Sequence, residues 1–454
     1  MAKVIVVGAG VSGLLAACFA ADRGHEVKVL AYGLGALTVA GGIIDLFGYD
    51  EHGSLISDPL KHIETLKKPH PYALLGAERV NEALEAFKAL TAEQNYHYLG
   101  DGHHNQKVPT AIGSFKPSCL IPPSIDGQII FERPKILVVG FNLLKDYYPK
   151  LIAKNLKHFF GDAKGIDIQE VILDWPTGRA YRDVSALDLA RDLETSVGQL
   201  NFINQLKGKC GPDTTLIIPP ILGERPELAA GIQEHIEQEL NTKMVEVSAI
   251  PPSVTGLRLD HLLRRACEQR HIEIIDKAQV IGFTGLKADA PKDMPHEYSK
   301  VRGICQSLIT GGYGREREYS ADAFIIATGG VFGSGLVSAM GKMYEPIFDL
   351  EIPVPAEQKD WSHQYLFCGK PQPFAAYGVA VNEHLQPIDP LDPQEQVLLH
   401  NVQFVGRSLR GYDFCFEKSG NGVAVTTAYQ AACELEHILK ESAAVIDRAH
   451  GAQS

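Results

Sequence analysis

The sequence has 454 residues, which at about 100–200 residues per domain predicts two or three domains. Hydrophobic residues make up 45% and charged residues 22%, a balance typical of a soluble globular protein with a large core. The sequence contains 43 Lys and Arg residues and 55 Asp and Glu residues, which gives a net charge of −12. This acidic balance argues against a nucleic-acid-binding protein and against direct attraction to anionic lipid.

The cysteines are scattered rather than paired. None of the eight stands in a C-x-x-C motif, so no familiar spacing for an iron–sulfur cluster or a structural zinc site is present. Isolated cysteines are typical of a reducing compartment, and we expect a cytoplasmic protein. Because only the first apolar segment approaches the length of a span, we expect any peripheral attachment to the cytoplasmic face of a membrane to come through a partner. The cysteines are Cys18, Cys119, Cys210, Cys267, Cys305, Cys368, Cys415 and Cys433.

The first long apolar segment runs from Val4 to Ala21 without a charged residue. Its length leaves a membrane span or a signal peptide open as an alternative. However, Gly8, Gly10 and Gly13 interrupt the segment, and glycines disfavour an uninterrupted apolar helix. We therefore interpret the segment as part of a soluble domain.

The same segment has the pattern of a dinucleotide-binding βαβ unit. Residues 3–7 form a β-branched strand, residues 8–13 match G-x-G-x-x-G, residues 14–23 predict a helix, and residues 26–30 predict a second strand. In this motif Gly8 permits the turn, Gly10 lets backbone approach a phosphate, and Gly13 allows close packing of helix and strand. The alternative is a tight turn that binds no ligand. We expect Gly8, Gly10, Ser12 and Gly13 to contact a cofactor phosphate.

The second strand departs from the dinucleotide pattern. An acidic residue is expected about 20 residues after the motif to bind an adenosine ribose, but Leu30 is followed by Ala31-Tyr32-Gly33. The unit therefore predicts a phosphate site but lacks the carboxylate expected of an adenosine site. A further glycine pair, Gly41 and Gly42, either lets backbone pass close to a flavin ring or makes a turn.

The middle of the chain predicts a separate α/β layer. Strands at 135–139, 215–218 and 243–247 alternate with helices, which is typical of βαβ units. We therefore expect an inserted α/β substrate or cap domain at 51–250. The remaining predictions for this region are helices at 78–95, 143–156 and 185–207 and an irregular, proline-rich loop at 107–127.

The remainder predicts a return to the first domain. A helix at 257–270 and a strand at 272–275 precede an antiparallel meander at 279–321. A buried strand then ends in Ala327-Thr328-Gly329-Gly330. The predicted fold class is thus α/β, with a Rossmann-like dinucleotide-binding domain at 1–50 and 251–454 that includes the meander. The last elements are a strand at 402–405 before Gly406, and a helix at 423–439 opened by Gly420 and Gly422.

The order of these glycine segments resembles the two-dinucleotide-binding-domain flavoproteins. The resemblance implies that Thr328, Gly329, Gly330, Gly406, Gly420 and Gly422 contact a flavin. It also implies an Asp after the late glycine, where this sequence has Arg407. Five segments further resemble the B subunit of anaerobic glycerol-3-phosphate dehydrogenase: 251–259 (PPSVTGLRL), 329–337 (GGVFGSGLV), 345–349 (EPIFD), 377–381 (YGVAV) and 411–413 (GYD).

This second resemblance implies oxidation of sn-glycerol 3-phosphate to dihydroxyacetone phosphate, with electrons passing through partner subunits to a membrane quinone. It implies FMN as the cofactor, with FAD as the alternative. The partners it implies are an FAD-bearing catalytic A subunit and an iron–sulfur C subunit. FMN carries no adenosine, which agrees with the missing carboxylate after Leu30.

Oxidation of a phosphorylated alcohol requires a phosphate-binding cation and a base. The substrate-binding candidates are Arg410, Arg258 and Lys116, in glycine- or proline-framed segments, and Arg407 shares these features. His363 and His384 are weak candidates for the base, which stays unassigned. Asp413 either orients a proton carrier or caps a turn, and the cap is the expected role. Asp101 with the neighbouring histidines 103 and 104 is typical of a solvated loop, so no metal is predicted.

Two other functions remain open from the sequence. The chain could be a non-catalytic, flavin-bearing relay or assembly subunit of the same complex, since no acid–base pair is evident. Otherwise it could be another FAD-dependent oxidoreductase, or an NAD-type Rossmann dehydrogenase, which the A-T-G-G segment at 327–330 argues against.

Overall fold

The computed structural model describes residues 1–161, 165–175, 183–248, 250–287, 302–312, 315–339 and 341–451. Labels follow chain order. The helices are α1 (Val11–Asp22), α2 (Pro59–Ile63), α3 (Pro71–Leu75), α4 (Ala77–Glu93), α5 (Pro149–Phe160), α6 (Ala186–Leu193), α7 (Ser196–Leu206), α8 (Pro226–Leu240), α9 (Val254–Gln269), α10 (Phe414–Glu417) and α11 (Gly420–Gly451).

The strands of the first half are β1 (Lys3–Val7), β2 (Glu26–Leu30), β3 (Leu99–Gly100), β4 (Gln106–Pro109), β5 (Phe115–Ser118), β6 (Leu120–Ile121), β7 (Lys135–Phe141), β8 (Asp167–Leu173), β9 (Thr214–Ile218) and β10 (Lys243–Glu246). Those of the second half are β11 (Glu273–Ile275), β12 (Gln279–Lys287), β13 (Gly303–Gly312), β14 (Arg315–Ser320), β15 (Ala323–Ile326), β16 (Val337–Ala339), β17 (Lys342–Glu345), β18 (Leu350–Ile352) and β19 (Val402–Phe404).

The chain divides into two compact units. The first comprises Met1–Gly35, Tyr49–Phe87 and Leu263–Ser454, and the second comprises Ala36–Gly48 and Lys88–Leu262. The division differs from the expected boundaries at 50 and 250, because residues 49–87 are bonded to the end of the chain. For example, the Tyr49 amide donates to the Glu417 carbonyl at 3.2 Å, and the Tyr72 hydroxyl donates to the Ser419 carbonyl at 3.3 Å.

The first unit is built on a parallel five-stranded sheet of order β11-β2-β1-β15-β19. The strands are apolar and fully covered, as parallel strands require: Val4, Val6 and Ile325 are at most 1% exposed. Helices α1 and α11 pack against each other beside this sheet. The predicted βαβ unit and the strand before Thr328 are therefore confirmed.

Two small antiparallel sheets belong to the same unit. One has the order β12-β13-β14 and confirms the predicted meander, although residues 288–301 and 313–314 of that prediction lie outside the described residues. The other has the order β16-β17-β18. Neither supplies a residue that the sequence singled out as a cofactor ligand.

The second unit has its own parallel sheet of order β10-β9-β7-β8. Its core is formed by apolar residues of the strands and flanking helices, such as Val138, Ile218 and Leu189, each fully buried. The predicted α/β layer is confirmed, but its substrate or cap role stays a prediction.

Two local predictions are wrong. The segment 107–127 contains short strands rather than an irregular loop, because prolines are tolerated at edge positions and Lys107 pairs with Pro117 in the β4–β5 hairpin. The single helix at 185–207 is two helices, α6 and α7. The Thr195 side chain accepts a hydrogen bond from the Gly198 amide and begins the second helix.

Candidate cofactor site

The turn after β1 is shaped by two backbone contacts that exclude side chains. Gly8 has φ +112°, and a β-carbon there would lie 2.3 Å from the Ala327 carbonyl oxygen. A β-carbon at Gly13 would lie 1.9 Å from the Gly8 carbonyl oxygen. The first glycine lets β1 approach the end of β15, and the second lets α1 pack on the turn, as the motif predicts.

Gly10 differs from its two neighbours. It is the N-cap of α1, with φ −87°, and a β-carbon there would meet no atom within 4 Å. The protein itself therefore does not require a glycine at this position. The first turn of α1 also contains no acidic residue, and the N-terminal amides of a helix carry a partial positive charge that favours an anion.

The segment after β15 lies next to this turn. Gly329 has φ +81°, and a β-carbon at Gly330 would lie 3.0 Å from the Arg407 carbonyl oxygen. The Thr328 hydroxyl is buried and has no hydrogen-bond partner. An unpaired buried hydroxyl is costly, and a polar ligand at this segment would satisfy it.

The late glycine segment, at 406–407, completes a group with the segments at 8–13 and 327–330, which we call the glycine cluster. Gly406 has φ +71°, and a β-carbon there would lie 2.2 Å from the Ser12 hydroxyl oxygen. The Gly406 amide donates to the Thr427 hydroxyl of α11 at 2.9 Å. The structure thus brings the turn at 8–13 together with two segments that follow it by about 320 and 400 residues in the sequence. Helix α11 begins directly beside them at Gly420.

Residue 407 is the cation of this cluster. The Arg407 guanidinium carbon lies 4.2 Å from the centre of the Phe414 ring. One terminal nitrogen lies 3.4 Å from the position of a β-carbon at Gly420. The contribution of Phe414 could not be predicted, because an isolated aromatic residue in the sequence is more often part of a core.

Gly41 and Gly42 belong to the second compact unit. Gly42 has φ +66°, a β-carbon there would lie 2.4 Å from the Thr255 carbonyl oxygen, and its own carbonyl accepts a 2.6 Å bond from the Tyr98 hydroxyl. These contacts give Gly42 a packing role within its unit. A cofactor contact by Gly41 or Gly42 stays a prediction.

Arg258 is fully buried and engaged in an internal ion pair. Its guanidinium donates to the Glu246 carboxylate at 2.6 and 2.8 Å and to the Gly223 carbonyl at 2.7 Å, and it lies 3.3 Å from the Ser124 hydroxyl. The Tyr96 hydroxyl is a further hydrogen-bond partner of this guanidinium, so the geometry favours a structural role over phosphate binding. No pattern in the sequence identifies Glu246 as the partner.

Lys116 and Arg410 differ in their surroundings. The Lys116 ammonium lies 2.7 Å from the Asp45 carboxylate, both partly buried. Arg410 lines a cavity of about 190 Å³ together with Lys68, Asp389 and Asp392. Among the described residues, its guanidinium has no ion pair. Lys68 is a second cation that the sequence analysis missed, since its only signal is the following Pro69.

The two candidate histidines lie away from the glycine cluster or are exposed. His384 pairs with Glu434 at 2.8 Å. Glu434 lies seven residues, about 10 Å along the helix axis, beyond Thr427, whose hydroxyl accepts from the Gly406 amide. His363 is an exposed loop residue whose amide donates to Gln372. Asp413 caps α10 by accepting from the Cys415 and Phe416 amides, which confirms the predicted cap.

A buried network that the sequence did not reveal fixes the start of α11. His70 accepts a 3.0 Å bond from the Tyr72 amide at Nδ1, and its Nε2 lies 3.4 Å from Glu417. The other Glu417 oxygen accepts from the Asp413 amide. These contacts hold residues 413–419 and therefore the helix N-terminus beside Arg407.

A parallel sheet, a glycine-rich turn after its first strand and a helix that begins at this turn define a dinucleotide-binding protein of the Rossmann type. The chain belongs to the FAD binding domain family, whose model matches residues 3–423. The glycine cluster and the unpaired Thr328 hydroxyl are consistent with a bound flavin, so the flavin-binding fold class is confirmed.

The chain is similar over its length to several curated proteins. It is 28% identical to the probable B subunit of anaerobic glycerol-3-phosphate dehydrogenase of Halobacterium salinarum, over 94% of this chain and 96% of that protein. It is 27% identical to the B subunit of anaerobic glycerol-3-phosphate dehydrogenase of Vibrio cholerae, over 94% and 95%. The resemblance drawn from residues 251–259 and the other segments is confirmed.

Among solved structures, the chain is similar to 3-ketosteroid delta1-dehydrogenase of Sterolibacterium denitrificans, with 12% identity, a TM-score of 0.43, and coverage of 97% of this chain and 99% of that chain. Within the described ranges, no helix has the length and hydropathy needed to cross a membrane.

Proposed function

We propose that this chain is the flavin-bearing B subunit of an anaerobic glycerol-3-phosphate dehydrogenase and that it oxidises sn-glycerol 3-phosphate to dihydroxyacetone phosphate. The observation that carries the proposal is the end-to-end alignment with proteins of that name, at 27–28% identity over 94% of this chain. The glycine cluster supports it, because it offers a phosphate site and a flavin site in one compact unit.

The reaction removes a hydride from C2 of the substrate and a proton from its hydroxyl group. The flavin, when bound, supplies a two-electron acceptor. Among the chain's own residues, Gly8, Gly10 and Gly13 would seat the cofactor phosphate, Thr328 would donate or accept through its unpaired hydroxyl, and Gly406 would hold the late segment against Ser12.

For the substrate phosphate we propose Arg410, with Lys68 as its neighbour in the same cavity wall. A guanidinium can bind a phosphate through two parallel hydrogen bonds, and both cations line a cavity of about 190 Å³ that Asp389, Asp392 and Glu395 also line. Lys116 and Arg258 are weaker proposals because carboxylates already neutralise them.

The proposed cofactor is FMN, with FAD as the alternative. The end of β2 supports FMN, since Ala31 and Tyr32 provide no carboxylate for a ribose and the Tyr32 side chain is 70% exposed. The family match supports FAD. Release of the cofactor by heat, followed by its mass, distinguishes the two.

The proposed partners are an FAD-bearing catalytic A subunit and an iron–sulfur C subunit, which would carry electrons to a membrane quinone. The names of the relatives, each a B subunit, support a complex of several chains. The proposed location is the cytoplasm, with any attachment to the inner membrane made through a partner.

A second candidate function is a flavin-bearing relay or assembly subunit, with hydride transfer in a partner. It is favoured by the pairing of His384 with Glu434, about 10 Å along α11 from the contact between Thr427 and Gly406, and by the exposure of His363 on a loop. Product formation separates the two candidates: the purified chain with an artificial electron acceptor yields dihydroxyacetone phosphate only under the first proposal.

A further inference from the structure

Arg407 borders two segments of the glycine cluster. Its carbonyl oxygen lies 3.0 Å from the β-carbon position of Gly330, and its terminal nitrogen lies 3.4 Å from that of Gly420. The guanidinium stacks on Phe414 at 4.2 Å, a contact that fixes the side chain without neutralising its charge. The backbone and the head group of Arg407 therefore both border segments expected to contact the flavin.

The charge of Arg407 has no counter-ion in the part of the chain that the structure describes. The nearest carboxylates in sequence are directed elsewhere: Asp413 accepts from the amides of Cys415, Phe416 and Gln372, and Glu417 accepts from the Asp413 amide and the Ser419 hydroxyl. The side chain is partly buried, so solvent neutralises it less than it would a fully exposed arginine.

The start of α11 adds to this unbalanced charge. The helix spans Gly420–Gly451 and contains no acidic residue in its first turn, and the N-terminal amides of a helix carry a partial positive charge. A cation is ordinarily unfavourable at such a position. Arg407 and the amides beside Gly420 together favour a group that is electron-rich or becomes so.

We propose that Arg407 stabilises the negative charge that the flavin gains on reduction, and that it thereby raises the midpoint potential of the cofactor. The inference rests on the flavin site of the proposed function. It concerns a position where the resemblance to the two-dinucleotide-binding-domain flavoproteins implies an aspartate, so the sequence reverses the sign of the charge there.

The test is the midpoint potential of the flavin in the purified full-length chain, measured against reference dyes without substrate. Arg407→Gln removes the charge, and Arg407→Lys keeps it. The matched control is Arg23→Gln, because Arg23 is the C-cap residue of α1 and lies about 18 Å along that helix from its N-terminus. We expect a more negative potential for Arg407→Gln, a smaller shift for Arg407→Lys, and no shift for Arg23→Gln.

An unchanged potential in Arg407→Gln would overturn the inference. If that variant releases its flavin, the dissociation constants for added oxidised and reduced flavin replace the potential. We expect the dissociation constant for reduced flavin, divided by that for oxidised flavin, to be at least tenfold higher in the variant than in the wild-type chain. The same ratio in both chains would overturn the inference. An unchanged potential with a raised requirement for glycerol 3-phosphate would instead assign Arg407 to the substrate phosphate.

The measurement is separate from the test of the proposed function, because it uses no glycerol 3-phosphate. A chain that shows the expected shift but does not oxidise glycerol 3-phosphate would support the role of Arg407 and contradict the proposed reaction. If the chain oxidises glycerol 3-phosphate and Arg407→Gln leaves the midpoint potential unchanged, the proposed reaction is supported and the role of Arg407 is contradicted.

Discussion

The carbonyl oxygen of Gly8 occupies the space that a side chain at Gly13 would need, since a β-carbon there would lie 1.9 Å from it. This contact joins the turn after β1 to helix α1 and sets the position of the helix N-terminus. The glycines of this motif are therefore present for different reasons. Gly13 is required by packing, whereas Gly10 faces open space.

Gly13→Ala is therefore expected to destabilise the fold, by roughly 1–3 kcal/mol or more, the range for overpacking a well-packed site. Gly10→Ala is expected to lower the free energy of unfolding by no more than about 1 kcal/mol, because alanine is a poorer N-cap than glycine, yet to weaken flavin binding at least tenfold. Denaturant unfolding and flavin titration measure the two effects. A Gly10→Ala chain that binds flavin normally would contradict the assignment of this turn to the cofactor phosphate.

The buried pair between Arg258 and Glu246 provides a second prediction. Glu246→Gln leaves the Arg258 guanidinium uncompensated inside the second unit, and loss of one partner of a buried pair costs about 3–5 kcal/mol. The exposed pair between Lys145 and Asp183, at 2.7 Å, is the matched control, and Lys145→Met is expected to change stability by less than about 1 kcal/mol.

If Arg258 instead binds the substrate phosphate, a different result follows. Arg258→Met would then raise the concentration of glycerol 3-phosphate needed for half-reduction of the flavin while stability stayed near the wild-type value. Thermal unfolding and substrate titration of the same preparation decide between the two roles.

Glu345 gives a prediction for pH. Its carboxylate is fully buried and accepts hydrogen bonds from the Ile347 and Phe348 amides. Burial raises the pKa of Glu345 from 4.5 to about 7. The native state therefore holds more protons than the unfolded state between these values, and the stability from this group is full below pH 4.5 and is lost as the pH rises to about 7.

Glu345→Gln should remove this part of the pH dependence. The measurement is the free energy of unfolding at intervals from pH 4.5 to 7.5 for both chains, and their difference is expected to change with pH in that window. A difference that is constant across the window would show that Glu345 titrates at its ordinary pKa.

Arg410 is expected to contribute to substrate binding rather than to the stability of the fold. Arg410→Gln removes a charge-assisted bond to phosphate of about 1.5–3 kcal/mol, which corresponds to a tenfold or greater increase in the substrate concentration for half-reduction. Arg448→Gln, an exposed arginine on α11, is the control. Equal substrate dependence in both variants would remove Arg410 from the site.

The flavin domain was largely predictable from the sequence because its signals are local. The strand at Lys3–Val7 and the strand at Glu26–Leu30 have the predicted bounds, since β-branched runs and glycine turns are sufficient to specify them. Prediction failed where distant residues decide the structure. The hairpin at β4 and β5 depends on pairing across residues 106–118.

The site was only partly predictable for the same reason. Its glycines were identifiable because a motif fixes their spacing, but the partners of the charged residues were not. Nothing near Arg258 in sequence indicates that a strand residue, Glu246, would neutralise it, and nothing near Arg407 indicates the stack on Phe414. Charged side chains find partners through the fold, so their roles required the structure.

The most direct test of the proposed function is an anaerobic titration of the purified chain with glycerol 3-phosphate, followed by the absorbance of its flavin. The proposal predicts bleaching of the flavin, with one dihydroxyacetone phosphate formed for each flavin reduced. A flavin that dithionite reduces but glycerol 3-phosphate does not would contradict it and would place hydride transfer in a partner.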